Sequence, residues 1–188
     1  LIYNYKQLSG IKRIPYAGQS SSRKPMLFES EVTDLLSGNF VIEEKLDGKG
    51  IVSVHDDYVL FIEHLHERHT VHYDRLPAFN IVFDVWDAHN LNWLKYEPKI
   101  EIAGKYGYRV APRLQETFGT MSLDIIVNHY IKGNITSAFG EEEIEGIVIK
   151  NYDKKLFGKL IRSEFDEKLT VYYRDRNKYL SARYQFNW

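Results

Sequence analysis

The chain has 188 residues, no cysteine and a formal net charge of −1, with 44% hydrophobic and 27% charged residues. These values exclude a disulfide scaffold, a thiolate metal site and a strongly basic coat for nucleic acid. They fit one soluble globular domain over 1–188, with a sizeable core and at most a short appendage.

Residues 1–7 lack the apolar core of a signal peptide, and no apolar run approaches the roughly 18–20 residues of a membrane span. A cytoplasmic protein without a membrane partner is therefore expected. Residues 1–39 read as largely irregular, with a flexible stretch at 18–22 between Pro15 and Pro25. A short helix over 31–36 is ended by Gly38-Asn39. From Phe40 the pattern turns β. Residues 40–45 are apolar and β-branched before the turn signal Asp47-Gly48, and residues 51–55 and 58–63 flank Asp56-Asp57 as a hairpin with a two-residue loop. Residues 79–86 form another strongly β segment. Helices are predicted over 98–106 and over 122–132, the second with Ser122 as N-cap and Gly133 just past its end. Residues 144–150 and 156–161 complete the strands. Strands dominate without regular β-α-β alternation, so the expected class is α+β with mainly antiparallel sheets and flanking helices. The tail from 169 to 188 mixes Tyr with Arg, and its pattern does not choose between helix and strand.

Four segments carry candidate chemistry, each at or beside a strand end. Glu44-Lys45-Leu46-Asp47-Gly48 puts a lysine at the end of a buried strand, where desolvation and neighbouring cations lower its pKa and make the amine nucleophilic. Gly48 allows the backbone to turn tightly beside a ligand. Taken alone, Lys-x-Asp-Gly also fits a hairpin turn with an exposed lysine. Phe83-Asp84 lies on an apolar strand, where an aromatic side chain either faces a cleft and stacks on a purine or packs the core. Glu145 opens the strand Gly146-Ile147-Val148-Ile149-Lys150 and is a candidate carboxylate for a divalent cation, although Glu141-Glu142-Glu143 just before it also reads as an acidic loop. Lys159 and Arg162, three residues apart, suit a triphosphate or a solvated surface pair.

The order of these segments resembles the covalent nucleotidyltransferases, that is, ligases and capping enzymes. Lys45-Leu46-Asp47-Gly48 resembles their motif I, residues 145–150 motif IV and residues 159–162 motif V. Phe83 resembles the aromatic residue that stacks on adenine. Residues 63–77, from Glu63 through Tyr73-Asp74-Arg75-Leu76-Pro77, are similar to a segment of the RNA ligase branch, with Glu63 as its motif III glutamate. The resemblance covers about residues 40–165, leaving 166–188 as a short basic and aromatic extension. It implies an ATP-grasp-like ligase nucleotidyltransferase domain. Only 26 residues follow Arg162, too few for an OB barrel, which favours RNA ligase chemistry over DNA ligation or capping. Two departures stand out. There is no arginine between Asp47 and Glu63, where the family has motif Ia, so Lys49 or Arg68 is left for that role. Motif V has Ile161 where a second lysine is common, followed by Arg162.

By this resemblance Lys45 is the nucleophile on ATP, Glu145 holds Mg²⁺ or Mn²⁺, and Lys159 with Arg162 faces the α-phosphate. Phe83 and Glu63 take adenine and ribose, and Glu44, Asp47 and Gly48 complete the nucleotide site. The implied product is joined RNA, single-stranded or nicked, in a repair setting. Alternatives are a capping guanylyltransferase, a small DNA ligase, or a ligase-derived RNA-binding module without catalysis. Basic and aromatic residues together at 150–162 and 168–183 suit single-stranded RNA, and equally a surface helix packed through its tyrosines. A zinc reading of His64, His66, His69 and His72 is weaker, because no thiolate is available.

Overall fold

The computed structural model describes residues 12–15 and 26–165. The flexible stretch expected at 18–22 and the tail beyond 165 lie outside the described residues. The elements in chain order are β1 (Lys12–Arg13), α1 (Glu29–Leu35), β2 (Asn39–Lys45), β3 (Lys49–Val54), β4 (Tyr58–His64), β5 (Asn80–Asp87), β6 (Asn92–Trp93) and α2 (Tyr96–Lys105). They continue with β7 (Arg109–Val110), β8 (Arg113–Phe118), α3 (Leu123–Ile126) running into a π-helical turn (Val127–Ile131), β9 (Gly146–Asn151) and β10 (Leu156–Ile161).

Two sheets result. The first has the order β1-β10-β9-β2-β8, and the second β3-β4-β5-β6 with β7 also on β5. All pairings are antiparallel except β1 with β10 and β5 with β7. The expected α+β class is thus observed. His55 N–H donates to Tyr58 O at 2.8 Å and closes the β3–β4 hairpin around Asp56-Asp57, as its sequence predicts. Ser122 caps α3 by accepting from Asp124 N–H at 3.3 Å, but the helix widens into the π turn after Ile126. Strand β8 was not expected. It is an edge strand with alternating half-buried and exposed residues, so its sequence carries little apolar signal.

Strand alternation decides which side chains meet. Phe40 and Ile42 of β2, Ile147 and Ile149 of β9 and Leu160 of β10 share one core with Leu35 of α1 and with Ile126 and Tyr130. Burial of each Ile or Leu contributes roughly 1.5–3 kcal/mol. The opposite face of the same strands therefore presents Glu43, Lys45, Val148, Lys150 and Lys159. In the second sheet, Leu60, Ile62, Val82 and Val85 pack with Ala103 of α2. That leaves Glu63, Ile81 and Phe83 on the other face.

Candidate active site

The two free faces enclose a cavity of about 270 Å³ lined by Glu43, Glu44, Lys45, Leu46, Gly50, Glu63, Phe83, Val148, Lys150 and Lys159. Lys45 ends β2 and keeps 20% of its side chain exposed, while Glu145, just before β9, is 1% exposed. The β2–β9 register pairs Lys45 with Gly146, which sets the Lys45 amine against the Glu145 carboxylate as an ion pair. Lys45 Nζ also donates to Leu46 O at 3.2 Å. Burial alone would lower the lysine, but Glu145, Glu63 and Asp47 together hold it above its ordinary value, so it rests as an ammonium. Burial pushes Glu145 up to about 7 against the pull of Lys45, with Asp47 and Glu63 adding to the rise. Three carboxylates thus crowd one cation.

Gly48 is required by close approach. A Cβ there would stand 2.6 Å from His64 O and 2.7 Å from Leu65 Cδ2. Its N–H donates to Glu63 Oε1 at 2.9 Å and fixes that side chain at the cavity edge. Burial raises Glu63, with Lys45 pulling the other way. Lys159, half-buried on β10, lines the same cavity and adds positive charge beside Glu63.

Three residues that sequence reasoning placed at the nucleotide have their polar groups on protein partners. Asp47 Oδ2 accepts from Thr70 N–H and Thr70 Oγ1, both at 2.6 Å, and from Val71 N–H at 3.0 Å, while Asp47 N–H donates to Tyr73 Oη at 2.8 Å. The turn after Lys45 is thereby latched to the loop after β4. Glu44 borders the cavity, but its carboxylate turns away from Glu43 and Lys45 and accepts from Ser137 Oγ at 2.5 Å and Ala138 N–H at 3.0 Å. Arg162 donates to Gly133 O at 2.8 Å, Glu143 at 2.6 Å and Glu164 at 2.7 Å. Its guanidinium is a strut between β10 and the loop before β9, and Arg162 does not line the cavity. Of the motif Ia substitutes, Arg68 pairs with Glu142 at 3.2 Å and Lys49 is exposed.

A feature that the sequence reading missed lies beneath the cavity. Glu43, Asp84, Lys99 and Lys150 form a buried quartet joining both sheets to α2, with Lys99–Glu43 at 2.6 Å, Lys150–Glu43 at 3.0 Å and Lys150–Asp84 at 2.8 Å. Two adjacent glutamates, Glu43 and Glu44, inside an apolar strand were the available signal, because buried charge requires partners. A second, wider cavity of about 460 Å³ is ringed by Glu141, Glu142, Glu143 and Glu164 beside Arg68 and Thr70. Its acidic rim disfavours phosphate. Among the described residues no three or more His, Asp or Glu side chains are grouped so that they could hold a metal ion. No helix among them is long and apolar enough to cross a membrane.

The model of the RNA ligase family matches residues 42–164, and the chain belongs to that family. Among solved structures it is similar to a Naegleria gruberi RNA ligase variant with ATP and Mn, at TM-score 0.59 and 15% identity over 75% of this chain and 54% of that one. It is also similar to the same organism's RNA ligase with PPi, at TM-score 0.59 and 16% identity over 76% and 55%. Another variant with ATP and Mn matches at TM-score 0.60 and 15% identity over 85% and 61%. The chain thus spans a little over half the length of these ligases, and the likeness shows a shared fold. A search of the curated proteins finds no match.

Proposed function

We propose that the chain is an ATP-dependent RNA ligase with Lys45 as the residue that becomes adenylylated. The observation that carries this reading is the meeting of the Lys45–Glu145 pair with Lys159, Glu63 and Phe83 around one cavity in a member of the RNA ligase family. Phe83 offers a ring for adenine, Glu63 a carboxylate for the ribose hydroxyls, and Lys159 a point charge for the α-phosphate. Asp47 and Gly48 shape the turn that presents Lys45, Glu44 ties β2 to Ser137 and Ala138, and Arg162 ties β10 to the loop before β9.

Lys45 Nζ attacks the α-phosphorus of ATP. A P–N bond forms, the bond to the bridging oxygen of the β-phosphate breaks, and pyrophosphate leaves. The attacking amine must be neutral, so the ion pair with Glu145 is a resting feature: it opens, and Lys45 gives its proton to solvent, before reaction. AMP then passes to an RNA 5′-phosphate, and a 3′-hydroxyl displaces it to join the ends.

The donor set fits a divalent cation held by one carboxylate, with phosphate oxygens and water completing the shell. Glu145 would hold that Mg²⁺ or Mn²⁺, because its buried carboxyl sits amid excess negative charge. The ion supplies positive charge against the triphosphate.

Incubation with α-labelled ATP, GTP or NAD, in parallel and with divalent cation, tests the reading. Label is expected from ATP alone and is lost in Lys45→Ala. Label that survives the substitution removes Lys45 from the role. Label from GTP in place of ATP points to a capping guanylyltransferase, and RNA binding without label points to a non-catalytic module.

A further inference from the structure

Phe83 occupies an unusual place in β5. In the β4–β5 register Phe61 faces Asp84 and Ile62 faces Val82, so Phe83 is the extra residue of a β-bulge. On the other side of β5, the β7 pairing stops at Val82 and the β6 pairing starts at Trp86. The Phe83 carbonyl is held instead by two ammonium groups, Lys150 at 2.6 Å and Lys99 at 3.0 Å. Lys99 is 0% exposed, reaches in from α2, and lies 4.8 Å from the Tyr96 ring centroid. It does not line the cavity, whereas Phe83 does.

We propose that Lys99 is a positioning residue for nucleobase binding: together with Lys150 it fixes the bulge carbonyl of Phe83 and so holds the Phe83 ring in the cavity wall. The proposal rests on the ligase reading above and adds to it a residue outside its motifs.

Two arguments support it. A buried ion cluster is a poor way to gain stability, since apolar side chains of similar volume often serve as well. Here the cluster does something that apolar residues cannot, because it satisfies a carbonyl that has left the ladder. The alternative to a pinned bulge is a one-residue slip of β5, which turns Phe83 to the opposite face. Burial pulls Lys99 down to about 8 despite Glu43 beside it, while Asp84 and Glu43 hold Lys150 above its ordinary value against the same burial. Of the two lysines, Lys99 is therefore the one whose charge is held less firmly.

Lys99→Met alone leaves an uncompensated buried carboxylate, so the test uses Lys99→Met with Glu43→Gln, compared with Glu43→Gln alone. The readouts are KM for ATP in self-adenylylation and the inhibition constant of inorganic tripolyphosphate, which has no base to stack. The double variant is expected to raise KM for ATP about tenfold over Glu43→Gln, the scale of one base–aromatic contact, with tripolyphosphate inhibition unchanged. An unchanged KM for ATP overturns the proposal. So does equal weakening of ATP and tripolyphosphate, which would mark general damage to the cavity. Absence of label in the wild-type chain is a different failure, that of the ligase reading itself.

Discussion

Lys45 and Gly146 are direct partners across β2 and β9, and this register, more than any contact further away, brings the Lys45 amine to the Glu145 carboxylate. The same glycine lets β10 approach. A Cβ at Gly146 would stand 2.1 Å from Leu160 O and 2.9 Å from Ile161 Cα. Gly146→Ala must therefore push β10, and Lys159 with it, away from β9. Urea unfolding is expected to show a loss of about 1–3 kcal/mol, and adenylylation should fall in the fraction that stays folded. A midpoint equal to wild type would mean that β10 yields freely and that the glycine is incidental.

The Glu145 carboxyl gives a pH signature. Its folded value is about 7 against an ordinary 4.5, so between these values the folded state binds more protons than the unfolded chain. Stability from this group is therefore present at low pH and declines as pH rises from 4.5 to 7, by at most about 3 kcal/mol. Glu145→Gln cannot titrate and should flatten that part of the curve, while it slows adenylylation by orders of magnitude. Identical pH–stability curves for the two proteins would contradict the crowding of three carboxylates around Lys45.

Lys159 and Arg162 should separate. Arg162→Met strands Gly133 O and the Glu143 and Glu164 carboxylates, so it should lower Tm while leaving the adenylylation rate of folded protein within about twofold of wild type. Lys159→Met should cut the adenylylation rate of folded protein by about a hundredfold. If Arg162→Met loses rate without losing Tm, its guanidinium reaches the phosphates after all.

Much of this architecture was legible in the chain because strands β2, β5, β9 and β10 are apolar runs that end in polar or glycine turns. The candidate residues Lys45, Phe83, Glu145 and Lys159 stood out because a charged or aromatic side chain at or beside a strand end needs a reason, and Glu63 stood out through the resemblance of residues 63–77 to RNA ligases. What could not be read depended on partners far away in sequence. Lys99 appears as an ordinary helix lysine until Glu43 and Phe83 are found beside it. Whether Asp47 orients the Lys45 turn or meets a ligand was open in the sequence, and the bonds from Thr70 and Val71 to its oxygen lie more than twenty residues away. The π turn after Ile126 was equally hidden, since its residues have the same apolar spacing as a plain helix. Strand β8 was missed because a sheet edge needs no apolar run.

The amine proposed to react and the ring proposed to take the base stand on different sheets, Lys45 on β2 beside β9 and β10 and Phe83 on β5 beside β4. On the proposed ligase reading, choice of nucleobase and rate of bond making are thus written on separate sheets, which meet through the four buried charges and through the apolar cluster of Leu46, Ile81 and Ile161. A designer wishing to retune one could redraw β5 around Phe83 and leave the strands bearing Lys45, Glu145 and Lys159 as they are.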